Sequence, residues 1–343
     1  MAIETISNTQ VLFNSVPVGE PTETDFKVVT VAINPQSHLQ ENFLLIKNLW
    51  ISLDPYMRGR MRNPEKGSYS SAFELGKPLT AGAVGEVIQS NSKLYNVGDV
   101  VLGHFDWANY TVAHEKAIQQ KIDQSKYKFP LEAWLGLLGM PSLTAYYGLV
   151  HIGKPKAGET LYVSAAAGAV GQVVGQIGKK LGLRVVGSAG TDEKVKYLTE
   201  TLKFDAAFNY KNGDFKENLK KFTPSGIDIY FENVGGEQLE AVLDLMNENG
   251  RIPVCGMISQ YNGAAYGVKN LFNVIGKRLL LQGFIVGDHY NIFPEFLNWM
   301  MENTSDGSFF YETTISEGIE NAPKAFIGLL KGENTGKQLI KNI

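Results

Sequence analysis

The sequence predicts an α/β chain with a β-rich, barrel-like part followed by a doubly wound parallel sheet. Three observations predict it. Over about the first 135 residues, short β-type runs alternate with Gly, Pro, Asn and Asp turns. From about Glu132 the apolar period changes to that of helices, and strands and helices then alternate. One unit within this second part, Thr160 to Gly187, reads as strand, glycine turn, helix, strand.

In chain order, Phe26–Val31, Phe43–Ser52, Ala83–Ile88 and Val100–Gly103 read as strands. Asn34-Pro35, Gly76-Lys77-Pro78 and Asn96-Val97-Gly98-Asp99 punctuate them as turns. Pro64–Tyr69 is rich in Gly, Ser and charge and reads as a mobile loop. Ala133–Leu138 and Leu143–Val150 read as helices. The alternation then runs through strand Thr160–Val163, helix Val173–Leu181 and strands Leu183–Gly187 and Ala207–Asn209. It continues with strand Ile227–Glu232, helix Glu237–Asn247, strand Gly250–Cys255 and an apolar strand Leu279–Val286. A helix at Pro294–Glu302 and a short terminal strand complete it, and no internal repeat is visible.

Composition sets the class. The chain has 343 residues, 44% of them apolar and 20% charged, enough for two domains. A net charge of −3 gives no reason to expect a nucleic-acid or anionic-membrane partner. A single cysteine, Cys255, rules out an intrachain disulfide and fits a reducing compartment. Met1-Ala2-Ile3-Glu4-Thr5 carries no signal pattern and no apolar run approaches 18 residues, so the expected location is the cytosol.

The glycine unit carries the first chemistry. Val163-Ser164-Ala165-Ala166-Ala167-Gly168-Ala169-Val170-Gly171 links a buried strand to a helix. Glycines there let backbone N–H groups reach a dinucleotide pyrophosphate at the helix N-terminus, whereas an ordinary tight βα turn would need no ligand. Enzymes using NAD place an acid about 20 residues on, to hold the ribose 2′-OH. Here that stretch is Gly187-Ser188-Ala189-Gly190, without an acid. Small residues leave room for a 2′-phosphate, Lys194 offers charge and Tyr210 a hydroxyl, so NADP(H) is the expected cofactor. A solvated helix lysine is the bland alternative for Lys194.

Further strings carry a resemblance. Leu53-Asp54-Pro55-Tyr56-Met57-Arg58-Gly59-Arg60-Met61, Gly139-Met140-Pro141-Ser142-Leu143-Thr144-Ala145-Tyr146 and Phe231-Glu232-Asn233-Val234-Gly235-Gly236 stand in order along the chain. Cys255-Gly256-Met257-Ile258-Ser259-Gln260-Tyr261-Asn262 and Leu330-Lys331-Gly332-Glu333-Asn334-Thr335-Gly336-Lys337 follow. From residue 53 to 337 these resemble the zinc-independent branch of the medium-chain dehydrogenases/reductases. That branch holds leukotriene 12-hydroxydehydrogenase/15-oxoprostaglandin 13-reductases, alkenal double-bond reductases and curcumin reductase-like enzymes. The resemblance implies a GroES-like substrate domain of residues 1–135 and 316–343 and a Rossmann NADP(H)-binding domain of residues 136–315.

Zinc is the discriminating question within that superfamily. One cysteine supplies neither a catalytic Cys/His site nor a four-cysteine structural site. The Gly-His-Glu string that carries a zinc ligand in the alcohol dehydrogenases aligns with Thr80-Ala81-Gly82, so Ala81 replaces the ligand histidine. His38, His104, His114, His151 and His289 show no metal-ligand spacing. The expectation is no metal.

The reaction the resemblance implies is NADPH-dependent reduction of the C=C bond of an α,β-unsaturated aldehyde or ketone. Hydride goes to the β carbon and charge develops on the carbonyl oxygen as an enolate, which a placed hydroxyl can stabilise. Tyr261 is the first candidate donor: it stands just past the Cys255-Gly256 strand end, where doubly wound sheets place ligands. A loop aromatic that closes the pocket is its alternative. Tyr56 is the second, against a structural turn tyrosine anchored by Arg58 or Arg60. A cofactor ribose hydroxyl could also serve, leaving the protein to position the reactants.

The resemblance also implies the cofactor contacts. Gly168, Ala169, Val170 and Gly171 match the pyrophosphate turn, and Lys194 and Tyr210 the 2′-phosphate pocket. Asn233 matches a ribose contact. Cys255, Gly256, Ile258, Ser259 and Tyr261 match the loop on the nicotinamide side. Phe284, Ile285 and Val286 match backbone pairing with the carboxamide, and Asn334 a residue reaching back to the phosphates. Bland alternatives stand beside them: a turn for Asn233, core for Phe284, a small filler for Cys255. The apolar edge at Leu279–Val286 would pair in a homodimer, as in the resembled family. A quinone oxidoreductase and a non-catalytic NADPH-binding protein are the competing readings. Arg62–Leu75 and Gly263–Asn273 lack the family pattern, which leaves the physiological substrate open.

Overall fold

The computed structural model describes residues 5–34, 39–263 and 265–342. Met1–Glu4, Pro35 of the expected Asn34-Pro35 turn, and His38 lie outside them. The chain divides into two compact units. Unit 1 comprises Met1–Leu135, Thr314–Asn334 and Gln338–Ile343, and unit 2 comprises Gly136–Thr313 and Thr335–Lys337.

Fifteen strands occur among the described residues. They are β1 (Ile6–Phe13), β2 (Phe26–Ile33), β3 (Phe43–Ser52), β4 (Thr80–Ser90), β5 (Val100–Asp106), β6 (Tyr110–His114) and β7 (Ile118–Lys121). Then come β8 (Thr160–Val163), β9 (Arg184–Ala189), β10 (Ala206–Asn209), β11 (Ile227–Phe231), β12 (Met246–Val254) and β13 (Leu280–Gly283). The last two are β14 (Thr313–Glu317) and β15 (Lys337–Lys341).

In unit 1, β1 and β2 form an antiparallel ribbon. A second sheet runs β14-β15-β3-β4-β5-β7, with β6 also paired to β3. Inward residues of both meet in one apolar core that includes Phe13, Phe26, Trp107 and Phe326. Phe26 stacks on Trp107 with ring centroids 6.1 Å apart. Gly85 and Gly103 of β4 and β5 are forced by close approach: a Cβ on Gly85 would fall 2.8 Å from the Lys47 carbonyl oxygen. The β-rich expectation holds here, beside a helix Ala322–Leu330 that carries Phe326; the sequence reading missed β1, β6, β7 and β14.

Unit 2 is the doubly wound sheet, ordered β10-β9-β8-β11-β12-β13 with every pairing parallel. All four residues of β8 are buried, as a parallel strand covered on both faces requires. The helix Gly171–Lys180 packs closely because Gly175 and Gly178 carry no side chain. A Cβ on Gly175 would fall 1.8 Å from Phe204 Cζ, and one on Gly178 2.7 Å from Leu161 Cδ2. The chain winds from β8 outward to β10, then returns to β11 beside β8, so the switch point lies between β8 and β11.

Several boundaries differ from expectation, three of them beside the site. Instead of a helix over 133–138, a 3₁₀ turn spans Leu131–Leu135, and the next helix is Met140–Tyr146, continued by a π-helical turn to Gly153. The helix expected over 237–247 ends at Leu245. Its end is set by an extended bulge before Gly250, where Asn249 takes φ +60°. The expected strand 279–286 shortens to Leu280–Gly283, because its partner β12 ends at Val254, opposite Gly283.

Candidate nucleotide and carbonyl sites

In unit 2 the turn after β8 is shaped by backbone demands. Ala165 takes φ +47°, and the Gly168 N–H donates to the Ala165 carbonyl at 3.0 Å. A Cβ on Gly171 would fall 2.5 Å from that same carbonyl oxygen, so only glycine closes the turn into the helix. The helix N-cap, Val170, offers no side-chain cap to the first N–H groups. An uncapped helix start behind a glycine turn suits an anion. The chain returns to this turn near its end: the Gly336 N–H donates to the Ala167 carbonyl at 2.8 Å. Gly336 takes φ +67°, and a Cβ there would lie 1.9 Å from the Glu312 carbonyl oxygen. Buried Asn334 precedes this returning segment by one residue.

At the end of β9 a second feature forms around Gly190. The Tyr210 hydroxyl lies 3.1 Å, and Lys211 Cε 3.4 Å, from the point a Cβ on Gly190 would occupy. The Lys211 ammonium stands 5.9 Å from the centre of the Tyr210 ring. Lys194 belongs to the same cluster: burial first, and the Lys211 charge second, hold its ammonium below the usual lysine range. Two cations that repel each other here suit a dianionic phosphate, which neutralises both. The nearest acid along the chain, Asp192, accepts hydrogen bonds from Asn209 at 2.9 Å and Asn212 at 3.2 Å. Lys211 was not picked out from the sequence; its one signal was adjacency to Tyr210 at the end of β10.

The switch point gathers the remaining unit 2 residues. Asn233 donates through Nδ2 to the Ser164 carbonyl at 2.8 Å, and its N–H to Ser164 Oγ at 3.0 Å. The Cys255 and Gly256 N–H groups donate to the Glu232 carbonyl at 2.9 and 3.2 Å, and Ile258 N–H to the Asn233 carbonyl at 3.2 Å. Ser259 bonds the Val234 carbonyl through both N–H and hydroxyl. Tyr261 follows this turn, and its hydroxyl lies 3.1 Å from a Cβ built on Gly256. Glu232 underlies the group, a residue the sequence reading left without a role. Its Oε1 accepts from the Tyr230 hydroxyl at 2.7 Å and from the Val234 and Gly235 N–H groups at 2.6 and 2.9 Å. Burial pushes its carboxyl up. Desolvation, then the Glu232 charge, push the Cys255 thiol up to about 12, which suits a packed neutral thiol and not a nucleophile.

Phe284, Ile285 and Val286 lie just past the end of β13, beside the end of β12. Phe284 packs on Tyr147 with ring centroids 5.4 Å apart, and its Cζ fills the space over Gly148. The site residues of unit 2 thus converge on the carboxyl ends of its strands, whereas Asn334 belongs to unit 1.

In unit 1, half-buried Tyr56 heads the short helix Met57–Arg60. Burial first and Asp54 second push its phenol up, while the Arg60 charge pulls the other way. It is therefore a protonated donor at neutral pH. Ala81 is wholly buried in β4 opposite Phe105. Among the described residues no group of three or more His, Cys, Asp or Glu side chains is gathered as a metal site would require.

Comparison with known proteins adds the family. Residues 9–121 match a model described as the N-terminal domain of oxidoreductase, and residues 169–302 one described as zinc-binding dehydrogenase. The chain is 45% identical over 339 residues to an NADP(+)-dependent 2-alkenal reductase of Nicotiana tabacum, covering 98% of both chains. It is 40% identical to prostaglandin reductase 1 of Sus scrofa, covering 94% of this chain and 96% of the relative. The crystal structure of CurA from Vibrio vulnificus in complex with NADPH superposes with a TM-score of 0.90 at 40% identity, over 98% of this chain and 99% of that one. With a GroES-like and a Rossmann fold and this likeness over nearly its whole length, the chain belongs to the alkenal and prostaglandin reductase family of the medium-chain dehydrogenases/reductases.

Proposed function

We propose that this protein is an NADP(H)-dependent reductase of the C=C bond of α,β-unsaturated aldehydes and ketones. The observation that carries the reading is the 45% identity, over 98% of both chains, to a 2-alkenal reductase that is NADP(+)-dependent. Unit 2 fits the cofactor on its own residues. The closed glycine turn and uncapped helix suit a pyrophosphate, and Lys194, Tyr210 and Lys211 around Gly190 suit a 2′-phosphate. Asn233 would hold the ribose, and Cys255 to Tyr261 with Phe284 to Val286 would line the nicotinamide.

When bound, NADPH supplies the hydride that reduces the β carbon. The chain's own work is to hold the carbonyl oxygen as negative charge develops on it. Tyr261 is assigned that hydrogen bond first and Tyr56 second, each a phenol able to donate to the developing enolate. No Lewis acid is needed once such a donor is aimed. Single Cys255 and Ala81 also leave too few ligands for the zinc that the second family description names. Unit 2 is assigned to the cofactor and unit 1 to the substrate.

The same reading makes the protein a cytosolic homodimer. Its support is one cysteine without a partner, no helix among the described residues long and apolar enough to cross a membrane, and exposed Leu280 on edge strand β13. The activity is tested by following NADPH oxidation with a medium-length 2-alkenal, an aryl enone, a simple quinone and a saturated aldehyde. Each is repeated with NADH and with EDTA. Turnover of the alkenal or enone, faster with NADPH and indifferent to EDTA, is the expected result. Turnover of the quinone alone would overturn the reading.

A further inference from the structure

Past Gly283 the chain leaves the sheet of unit 2, because β12 ends at Val254 opposite it. The ladder therefore stops before Phe284, Ile285 and Val286. A backbone that is to pair with a ligand binds best when it is fixed beforehand. Here one aromatic side chain does the fixing. The Tyr147 ring packs on Phe284 with centroids 5.4 Å apart, tilted by 51°. It also stacks on His289 at 3.9 Å and 17°, the closest ring pair among the described residues. His289 is brought there by a break within the helical turns Val286–Ile292, where it takes φ −122° and ψ 22°. Tyr147 thus grips the segment at its first residue and again just past its last.

The turn that carries Tyr147 is itself anchored. His151, one turn on, stacks on the same ring at 5.4 Å, and its Nε2 stands 3.3 Å from Glu295 Oε1. The preceding Tyr146 donates its hydroxyl to Glu295 Oε1 at 2.8 Å and packs on Phe296 and Trp299. Glu295, Phe296 and Trp299 belong to the helix Phe293–Thr304, into which the segment runs. The following Gly148 makes room for Phe284: a Cβ there would fall 2.9 Å from Phe284 Cζ. One turn therefore holds both the segment and the helix after it, and the ring contacts offset the entropy of ordering a stretch that no ladder orders.

We infer that Tyr147 is a positioning residue for the cofactor: through Phe284 and His289 it pre-sets the backbone of Phe284–Val286 for the nicotinamide carboxamide. This rests on the reading that the protein binds NADP(H) with that backbone at the nicotinamide. Tyr147 itself meets no cofactor atom in this reading. Its effect is confined to the nicotinamide end, because the 2′-phosphate end is assigned to Lys194, Tyr210 and Lys211 around Gly190.

The test titrates two ligands: NADPH, and adenosine 2′,5′-bisphosphate, which keeps the 2′-phosphate and lacks the nicotinamide. Tyr147→Leu removes the ring and keeps apolar bulk. It is expected to raise Kd for NADPH by about three- to tenfold and to leave Kd for the bisphosphate within about twofold. Tyr147→Phe keeps the stack and is expected to stay within about twofold of the parent for both ligands. Equal weakening of both ligands by Tyr147→Leu would overturn the inference and leave Tyr147 a structural residue. So would an unchanged Kd for NADPH, or a Tyr147→Phe variant as weak as Tyr147→Leu. A parent protein that binds neither ligand would sink the cofactor reading, and the inference with it. A parent that binds the bisphosphate as tightly as NADPH would sink the assignment of Phe284–Val286 and the inference, and leave the cofactor reading standing. Should Tyr147→Leu not fold, His289→Ala removes a half-buried ring from the stack, and the same selective loss for NADPH is required of it.

Discussion

The hydroxyl of Tyr261 lies 3.1 Å from the position a Cβ on Gly256 would take. The phenol thus lies back across the strand end that leads to it. Tyr261→Phe is expected to lower kcat for an enone by about 10²- to 10³-fold, the cost of one donor to a developing oxyanion. NADPH affinity by fluorescence titration should hold within about twofold. Gly256→Ala places a methyl 3.1 Å from that hydroxyl, which must shift by a few tenths of an ångström, and should move kcat down by about tenfold. A Tyr261→Phe enzyme with unchanged kcat would remove Tyr261 from the reaction.

The cluster at Gly190 predicts a cofactor preference with a pH signature. Lys194→Ala should weaken NADPH binding by about ten- to a hundredfold and leave NADH nearly unaffected, because only NADPH carries the 2′-phosphate. Lys211→Ala should do the same more weakly. The sign with pH follows from the lowered Lys194 value. A lowered pKa means the charge is lost at lower pH than in an ordinary lysine, so NADPH affinity declines earlier on the alkaline side. Removing Lys211 takes away a repelling charge, raises Lys194 and moves that decline to higher pH. Kd for NADPH and NADH across an alkaline pH series checks this; an equal decline for both cofactors would contradict it.

A third prediction concerns stability. The Phe204 ring is hemmed by two glycines: a Cβ would come 1.8 Å from it on Gly175 and 3.0 Å on Gly187. Gly175→Ala should destabilise the fold by about 1–3 kcal/mol by overpacking, although alanine is the better helix former. Denaturant unfolding measures it, and a variant as stable as the parent would show that the helix can move away from Phe204.

The nucleotide half was legible because its signals are local. Buried runs such as Thr160–Val163 and a glycine turn within ten residues mark β8 and its helix without any distant partner. The missing acid after β9 likewise pointed to the 2′-phosphate from sequence alone. What escaped depends on contacts far apart in the chain. Gly336 is glycine because of the Glu312 carbonyl, and Glu232 matters because Tyr230, Val234 and Gly235 converge on it. Lys211 looks like any charged residue after a strand until Gly190 is seen beneath it. β1 gives a weak signal because Asn8, fully buried in it, is polar: its side chain bonds the backbone of Tyr110 in β6. The length of β13 is set by where β12 ends, which no property of residues 279–286 records.

The most direct measurement follows the label from NADPH deuterated at the transferring position of the nicotinamide into the product of a 2-alkenal. A saturated aldehyde carrying deuterium on the β carbon and none on the carbonyl carbon is the expected product. Deuterium on the carbonyl carbon of an allylic alcohol would contradict it, and would assign the enzyme to carbonyl reduction.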